Sequence, residues 1–151
     1  MVTRPGYATR AVAAMLAAWA LGCADFDTPV DPTGGAPDDL VATPSFSANV
    51  EPIFEKRCAT GGCHSLATGQ AGLTLAPGVA YDEIVGVPSA LRPAVLRVRP
   101  GQPSQSWVVT MISTDDAARQ GFSRMPLATQ PLTPNQIQTI VRWIEQGALR
   151  N

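Results

Sequence analysis

The feature that most constrains this chain is a short segment in which two thiols and an imidazole lie close together. The segment is Cys58-Ala59-Thr60-Gly61-Gly62-Cys63-His64, and it holds two of the three cysteines and the only histidine of the 151 residues. It is preceded by Phe46 and by three further apolar residues at 4, 7 and 8 positions after Phe46, namely Val50, Ile53 and Phe54. This spacing places all four side chains on one face of a helix. A helix is therefore predicted to lead into the segment and present its side chains.

A thiol pair with a histidine directly after the second thiol is the arrangement that attaches a haem covalently. Both sulfurs bond the porphyrin vinyl groups, and the imidazole reaches the iron from one side. The usual spacing puts about two residues between the cysteines, whereas this chain has the four residues Ala59 to Gly62. Positions five apart on a regular helix turn away from each other, so the backbone must bulge there. Gly61 and Gly62 suit such a bulge, because glycine adopts dihedral angles that other residues avoid.

Three other uses of the same residues stay open. Cys58 and Cys63 can form a disulfide in an oxidising compartment, with His64 at the surface. The two thiolates and His64 can bind zinc, although no further cysteine or histidine supplies a closed fourth position. A nucleophilic cysteine is disfavoured, because the adjacent His64 cannot easily orient as its base and no oxyanion donors stand out.

A haem that transfers electrons needs a second axial ligand besides His64. A methionine thioether is a common choice and raises the reduction potential. Met15 would leave with the export signal described below, so the candidates are Met111 and Met125. Met111 falls on the core-facing side of a predicted helix, where methionine usually serves packing, whereas Met125 falls in a loop. We therefore expect Met125 to be the distal ligand.

The first part of the chain predicts export. Residues 1–22 place Arg4 and Arg10 around the start of an apolar run that is too short to cross a bilayer, which is typical of a signal peptide. Ala20-Leu21-Gly22-Cys23 resembles the bacterial lipobox, in which the signal is cut before a cysteine that becomes lipidated. We expect a periplasmic protein or an outer-membrane lipoprotein, held at the membrane only through a lipid on Cys23.

A tether is predicted to follow, and then one domain. Residues 23–43 are expected to be disordered, because positions 24–43 contain five aspartates, three prolines, two glycines and no lysine or arginine. The domain is predicted at 44–151. In the whole chain 15% of the residues are charged, 13 are glycines and 14 are prolines. This composition favours short helices joined by irregular connections. The net charge of −1 gives no indication of nucleic-acid binding.

Within the domain, three helices and one polar loop are predicted. The first covers Ser45–Arg57, with Ser47 as its N-cap, and the second covers Pro103–Ser113. The third starts at Thr133-Pro134-Asn135-Gln136, which combines a capping box with proline at the first helical position, and Gly147 closes it. Trp143 is expected at the edge of its apolar face. Residues 115–131 are expected to form the polar loop.

In this order the elements resemble a class I, mono-haem c-type cytochrome, and more narrowly the bacterial exported cytochrome c-like domains of planctomycete and myxobacterial type. The resemblance covers about residues 44–149 and lies in four segments: Val50-Glu51-Pro52-Ile53-Phe54, Arg97-Val98-Arg99-Pro100-Gly101-Gln102-Pro103, Arg124-Met125-Pro126 and Trp143-Ile144-Glu145-Gln146-Gly147-Ala148. It implies a small all-α fold that encloses a haem c between the N- and C-terminal helices. Cys58 and Cys63 would be the thioethers, His64 the proximal ligand and Met125 the distal ligand.

The function expected from this resemblance is electron transfer to a redox partner protein that the sequence does not identify. An iron with two axial ligands has no open position for substrate, so no enzymatic activity is predicted. Two alternatives stay open. One is a structural or interaction module that kept the fold without haem and formed a Cys58–Cys63 disulfide. The other is ligand-binding or peroxidase chemistry at a five-coordinate iron, if Met125 does not bind.

Overall fold

A computed structural model describes Met1 and residues 38–127 and 129–151. The predicted signal peptide beyond Met1, the lipidation site Cys23 and the tether as far as residue 37 lie outside the described residues. Among the residues that are described, no helix is long and apolar enough to cross a membrane.

The described part of the chain is helical and contains no β-strand, which confirms the prediction of an all-α fold at that level. Two isolated bridges pair Val85 with Val98 and Pro88 with Leu96. A π-helical turn, Phe46–Val50, leads into the first helix, and single 3₁₀ turns occur at Gln70–Gly72 and Pro103–Gln105. The helices are α1 (Glu51–Arg57), α2 (Ala80–Ile84), α3 (Trp107–Ile112), α4 (Asp116–Arg119) and α5 (Pro134–Glu145).

The N-cap of the first helical segment lies two residues before the predicted position. Ser45, not Ser47, is the N-cap, and its Oγ accepts the backbone N–H of Ala48 at 3.2 Å. The backbone N–H of Ser47 donates instead to the carbonyl oxygen of Asn151 at 2.8 Å, a contact that no local signal reveals. Pro52 lies at the start of α1, where a residue without an N–H costs no helical hydrogen bond.

The last helix, α5, follows its predicted signals at both ends. The Thr133 side chain accepts the N–H of Gln136 at 3.2 Å, the Gln136 side chain accepts the N–H of Thr133 at 3.1 Å, and Gly147 follows with φ of 100°. The expectation that Trp143 lies at the edge was wrong, because this side chain is only 1% exposed. Its ring packs 5.2 Å from that of Phe46 and its Nε1 donates to the carbonyl of Leu149 at 2.8 Å.

The predicted helix Pro103–Ser113 is interrupted at Ser106. This residue is fully buried and extended, and its Oγ accepts the N–H of Arg99 at 2.9 Å and donates to the carbonyl of Gln102 at 3.0 Å. The serine therefore holds the preceding turn together, and α3 starts only after it.

The region 115–131 was predicted to be a polar loop, but it contains the short helix α4. Asp115 caps this helix by accepting the N–H of Ala118 at 3.1 Å. Arg119 turns inward and donates to the carbonyl of Ser113 at 2.5 Å. It also pairs with Asp116. The Asp115 cap and the inward contacts of Arg119 therefore hold this short helix in place.

The start and the end of the described domain meet in one aromatic cluster. The Phe46 ring lies 5.2 Å from the rings of both Tyr81 and Trp143. The segment 148–151, which we call the closing segment, satisfies polar groups around this cluster. Its Ala148 carbonyl accepts the Tyr81 hydroxyl at 2.8 Å, and the Asn151 side chain accepts the N–H of Phe46 at 2.8 Å. The first and last helices are thereby joined on one side of the core.

Residues 38–43 also contact α5. The carbonyl of Val41 accepts from Arg142 at 3.2 Å, and the carbonyl of Ala42 accepts from Gln146 at 3.2 Å. Asp38 is hydrogen-bonded to the Thr133 hydroxyl.

Candidate cofactor site

A largely apolar cavity lies between α1, α2, α3 and the Met125 loop. About 720 Å³ of this region is not occupied by protein atoms, but part of that space is open to solvent. The volume in which the centre of a water molecule can be placed is about 90 Å³. The 90 Å³ volume is below the roughly 300–1,000 Å³ that is usual for small-molecule and cofactor sites, so a cofactor bound here would also occupy the part of the cavity that is open to solvent. The residues along its wall are Phe54, Cys58, His64, Ala71, Leu73, Leu75, Ile84, Ser89, Ala90, Leu91, Arg97, Trp107, Val108, Met111, Ile112 and Met125.

The His64 imidazole is oriented by two backbone carbonyls. Its Nδ1 lies 3.1 Å from the carbonyl oxygen of Gln70 and 3.2 Å from that of Leu73. Carbonyl oxygens only accept hydrogen bonds, so Nδ1 must carry the proton. In the neutral ring, Nε2 is then unprotonated and its lone pair is available to a metal. Histidines that bind metals in proteins are commonly held in this way, with the second ring nitrogen donating to a backbone carbonyl.

Cys58 also lines the cavity, and its thiol is buried. Burial raises the pKa of Cys58 from 9.0 to about 12, with a smaller rise from Cys63 and an opposing effect of Arg57. In the absence of a metal ion the thiol is therefore neutral at physiological pH, which makes it a poor nucleophile. Cys58 and Cys63 are both free thiols in the structure, with no disulfide between them.

Cys63 is partly exposed and is not part of the cavity wall. Its N–H donates to the carbonyl of Thr60 at 3.0 Å, and its own carbonyl accepts the Thr68 hydroxyl at 2.6 Å. The predicted backbone bulge falls at Gly62, which has φ of 81°. A Cβ added at Gly61 or Gly62 would meet nothing within 4 Å, so the loop between the thiols lies in open space.

Both candidate methionines reach the cavity. Met125 and Met111 are among its lining residues, and the backbone N–H of Met125 donates to the carbonyl of Met111 at 2.8 Å. Met111 is 7% exposed and Met125 is half-buried. Arg124, next to Met125, uses its Nε to donate to the carbonyl of Ile112 at 3.1 Å, and this contact fixes the loop on the end of α3.

Arg97 is a cavity residue that the sequence analysis did not select. Val98 is fully buried, Leu96 is half-buried, and Arg97 is itself only 8% exposed and lies on the cavity wall. A buried arginine is rare unless paired, and here it has partners in Gly72 and Glu83. Arginine gives no sequence signal for burial.

The donor atoms along the cavity fit a haem better than a bare metal ion. Within the described residues, no group of three or more His, Cys, Asp and Glu side chains is placed to hold a metal ion. The zinc arrangement of Cys58, Cys63 and His64 is therefore not assembled there. The wall carries an imidazole, a thioether and one of the two thiols that a covalently bound haem uses, among mostly apolar side chains.

No known protein family, curated protein or solved structure matches this chain. A function is therefore inferred below from the residues of the cavity and from the resemblance noted in the sequence.

Proposed function

We propose that this protein is an electron carrier that holds a covalently attached haem c in the cavity, with His64 and Met125 as axial ligands. The observation that supports this most is that His64, Met125 and Cys58 share one apolar cavity. The available Nε2 of His64 adds to it, because the two carbonyls at Nδ1 fix the ring in the ligating tautomer.

The haem would supply a one-electron change at its iron, and the chain would supply burial and ligands. Apolar side chains such as Phe54 and Ile112 would exclude water from the porphyrin faces. Since His64 and Met125 would fill both axial positions, substrate would find no open site, and we propose electron transfer rather than catalysis.

Attachment through both sulfurs makes different demands on the two cysteines. Cys58 already lies on the cavity wall, whereas Cys63 would have to turn toward it. No atom lies within 4 Å of the Cβ positions of Gly61 and Gly62, so this part of the loop has room to change its conformation. The Cys63 N–H and carbonyl would have to give up their hydrogen bonds to Thr60 and Thr68. We propose that the four-residue spacing is accommodated in this way.

We further propose that the protein is exported and anchored by a lipid on Cys23. This part rests on the signal-like residues 1–22 and on Ala20-Leu21-Gly22-Cys23. The acidic segment after Cys23 would then act as a spacer between the membrane and the domain.

The test is a visible spectrum and an intact mass of full-length protein produced with a c-type maturation system. We expect a Soret band, sharp bands of a six-coordinate haem after reduction, and a mass increase of about 0.6 kDa that survives denaturation. The matched control is the double variant Cys58→Ala/Cys63→Ala, which should show no covalent increase. Colourless wild-type protein with a mass lower by about 2 Da, the signature of a disulfide, would replace this proposal with the haem-free module.

A further inference from the structure

We propose that Arg97 is a positioning residue for the axial histidine: it holds in place the loop whose carbonyls fix the His64 ring. The loop is residues 69–73, and we call it the histidine-holding loop. The ligand role of His64 rests on the proposed function, but the contacts that orient its ring are made by this chain alone.

Arg97 connects the histidine-holding loop to α2. Its Nη2 donates to the carbonyl of Gly72 at 2.6 Å, and its Nη1 donates to the backbone carbonyl of Glu83 at 2.7 Å and to the Glu83 carboxylate at 3.2 Å. The arginine backbone is also fixed on both sides, because its N–H donates to Val87 at 2.7 Å and its carbonyl accepts from Val108 at 3.0 Å. The planar guanidinium therefore acts as a rigid bridge between two elements.

The loop needs such an anchor because its backbone is strained. Gly69, Ala71 and Gly72 have φ of 46°, 56° and 63°, in the left-handed region. Glycine adopts this region readily, but Ala71 does so only at a cost in free energy, so the surroundings must over-determine the conformation. The hydrogen bond from Arg97 to Gly72 lies directly beside Ala71 and is placed to do this.

The two carbonyls that hold the His64 ring lie on either side of Gly72. They belong to Gln70 and Leu73, at 3.1 Å and 3.2 Å from Nδ1. If Gly72 loses its anchor and the loop relaxes, both carbonyls move and the Nδ1 proton loses its acceptors. The ring is then free to exchange tautomers, and Nε2 is protonated for part of the time. Loss of an outer contact of this kind typically weakens metal ligation about 10-fold or more.

The experiment exploits the single histidine of the chain, since every imidazole nitrogen signal comes from His64. Nitrogen-15 NMR of the full-length protein at about pH 8, where a free imidazole is neutral, reports which ring nitrogen carries the proton. Wild-type protein should show a protonated Nδ1, with Nε2 unprotonated or bound to ferrous iron. Arg97→Met should show a mixture of tautomers. The control Arg99→Met removes an exposed arginine that donates to Gln105, and it should match wild type.

Two further variants keep the test decisive if Arg97→Met does not fold. Arg97→Lys keeps the positive charge but lacks the planar guanidinium group that donates to Gly72 and Glu83 together, so it should also show a mixture of tautomers. If a folded variant at position 97 gives the wild-type nitrogen spectrum, the proposal is overturned. Ala71→Gly removes the strain and should restore the wild-type tautomer in the Arg97→Lys background, and failure of this rescue overturns the strained-loop step. Colourless wild-type protein would contradict the proposed function, yet the nitrogen spectrum would still decide the role of Arg97.

Discussion

Replacement of Trp143 by phenylalanine separates packing from hydrogen bonding in the contact between the first and last helices. The Trp143 side chain is 1% exposed, its ring lies 5.2 Å from that of Phe46, and its Nε1 donates to the carbonyl of Leu149 at 2.8 Å. Phenylalanine keeps an aromatic ring beside Phe46 but leaves the Leu149 carbonyl without its donor. This part-buried hydrogen bond contributes about 0.5–1.5 kcal/mol, and the smaller ring also leaves part of the indole volume empty, so we expect a total loss of about 2 kcal/mol in the free energy of unfolding.

Trp143→Ala also removes the ring and should cost about 3–5 kcal/mol, a large part of the stability of a small domain. Urea unfolding followed by far-UV circular dichroism measures both losses, because this signal does not depend on the tryptophan that is removed. The control is Leu149→Ala, whose side chain is 56% exposed and whose carbonyl is retained; it should stay within about 0.5 kcal/mol of wild type. If Trp143→Phe is as stable as this control, the hydrogen bond is not a significant source of stability.

Three other predictions follow from single side chains. Burial raises the Cys58 pKa from 9.0 to about 12, so between these pH values the thiol ionises in the unfolded chain but stays protonated in the folded one. Haem-free protein should therefore lose up to about 1.4 kcal/mol in its free energy of unfolding per pH unit as the pH rises through this interval. Urea unfolding at several pH values measures this loss, and Cys58→Ala should show a smaller one. In haem-loaded protein, Met125→Ala should convert the low-spin visible spectrum to high-spin and Met111→Ala should not, and the reverse result would exclude Met125 as ligand. Ser45→Ala should cost about 1 kcal/mol and Ser47→Ala much less, measured by thermal unfolding.

The elements that could be predicted from sequence carry complete local signals. α5 has a capping box at Thr133, a proline at its first position and a glycine after its end, and each signal acts within a few residues. The turn at Gly62 was likewise predictable, because its positive φ is a conformation that glycine adopts without strain.

The features that escaped prediction depend on contacts between distant residues. Trp143 is buried because Phe46, almost the whole domain away, packs against it, and the N–H of Ser47 donates to the carbonyl of Asn151 at the other end of the domain. The orientation of His64 escaped for another reason. Its partners are backbone carbonyls, which every residue possesses, so no sequence pattern marks them.

The closing segment also has a consequence for when this domain can form. The hydrogen bond between Phe46 and Asn151 joins residues 105 positions apart. A chain emerging with its amino end first cannot complete this contact until residue 151 has appeared. Native structures that depend on such distant pairings assemble late and slowly. Until then the closing segment cannot satisfy the polar groups around Phe46, Tyr81 and Trp143, so we expect the domain to reach its full stability only once residue 151 has been added.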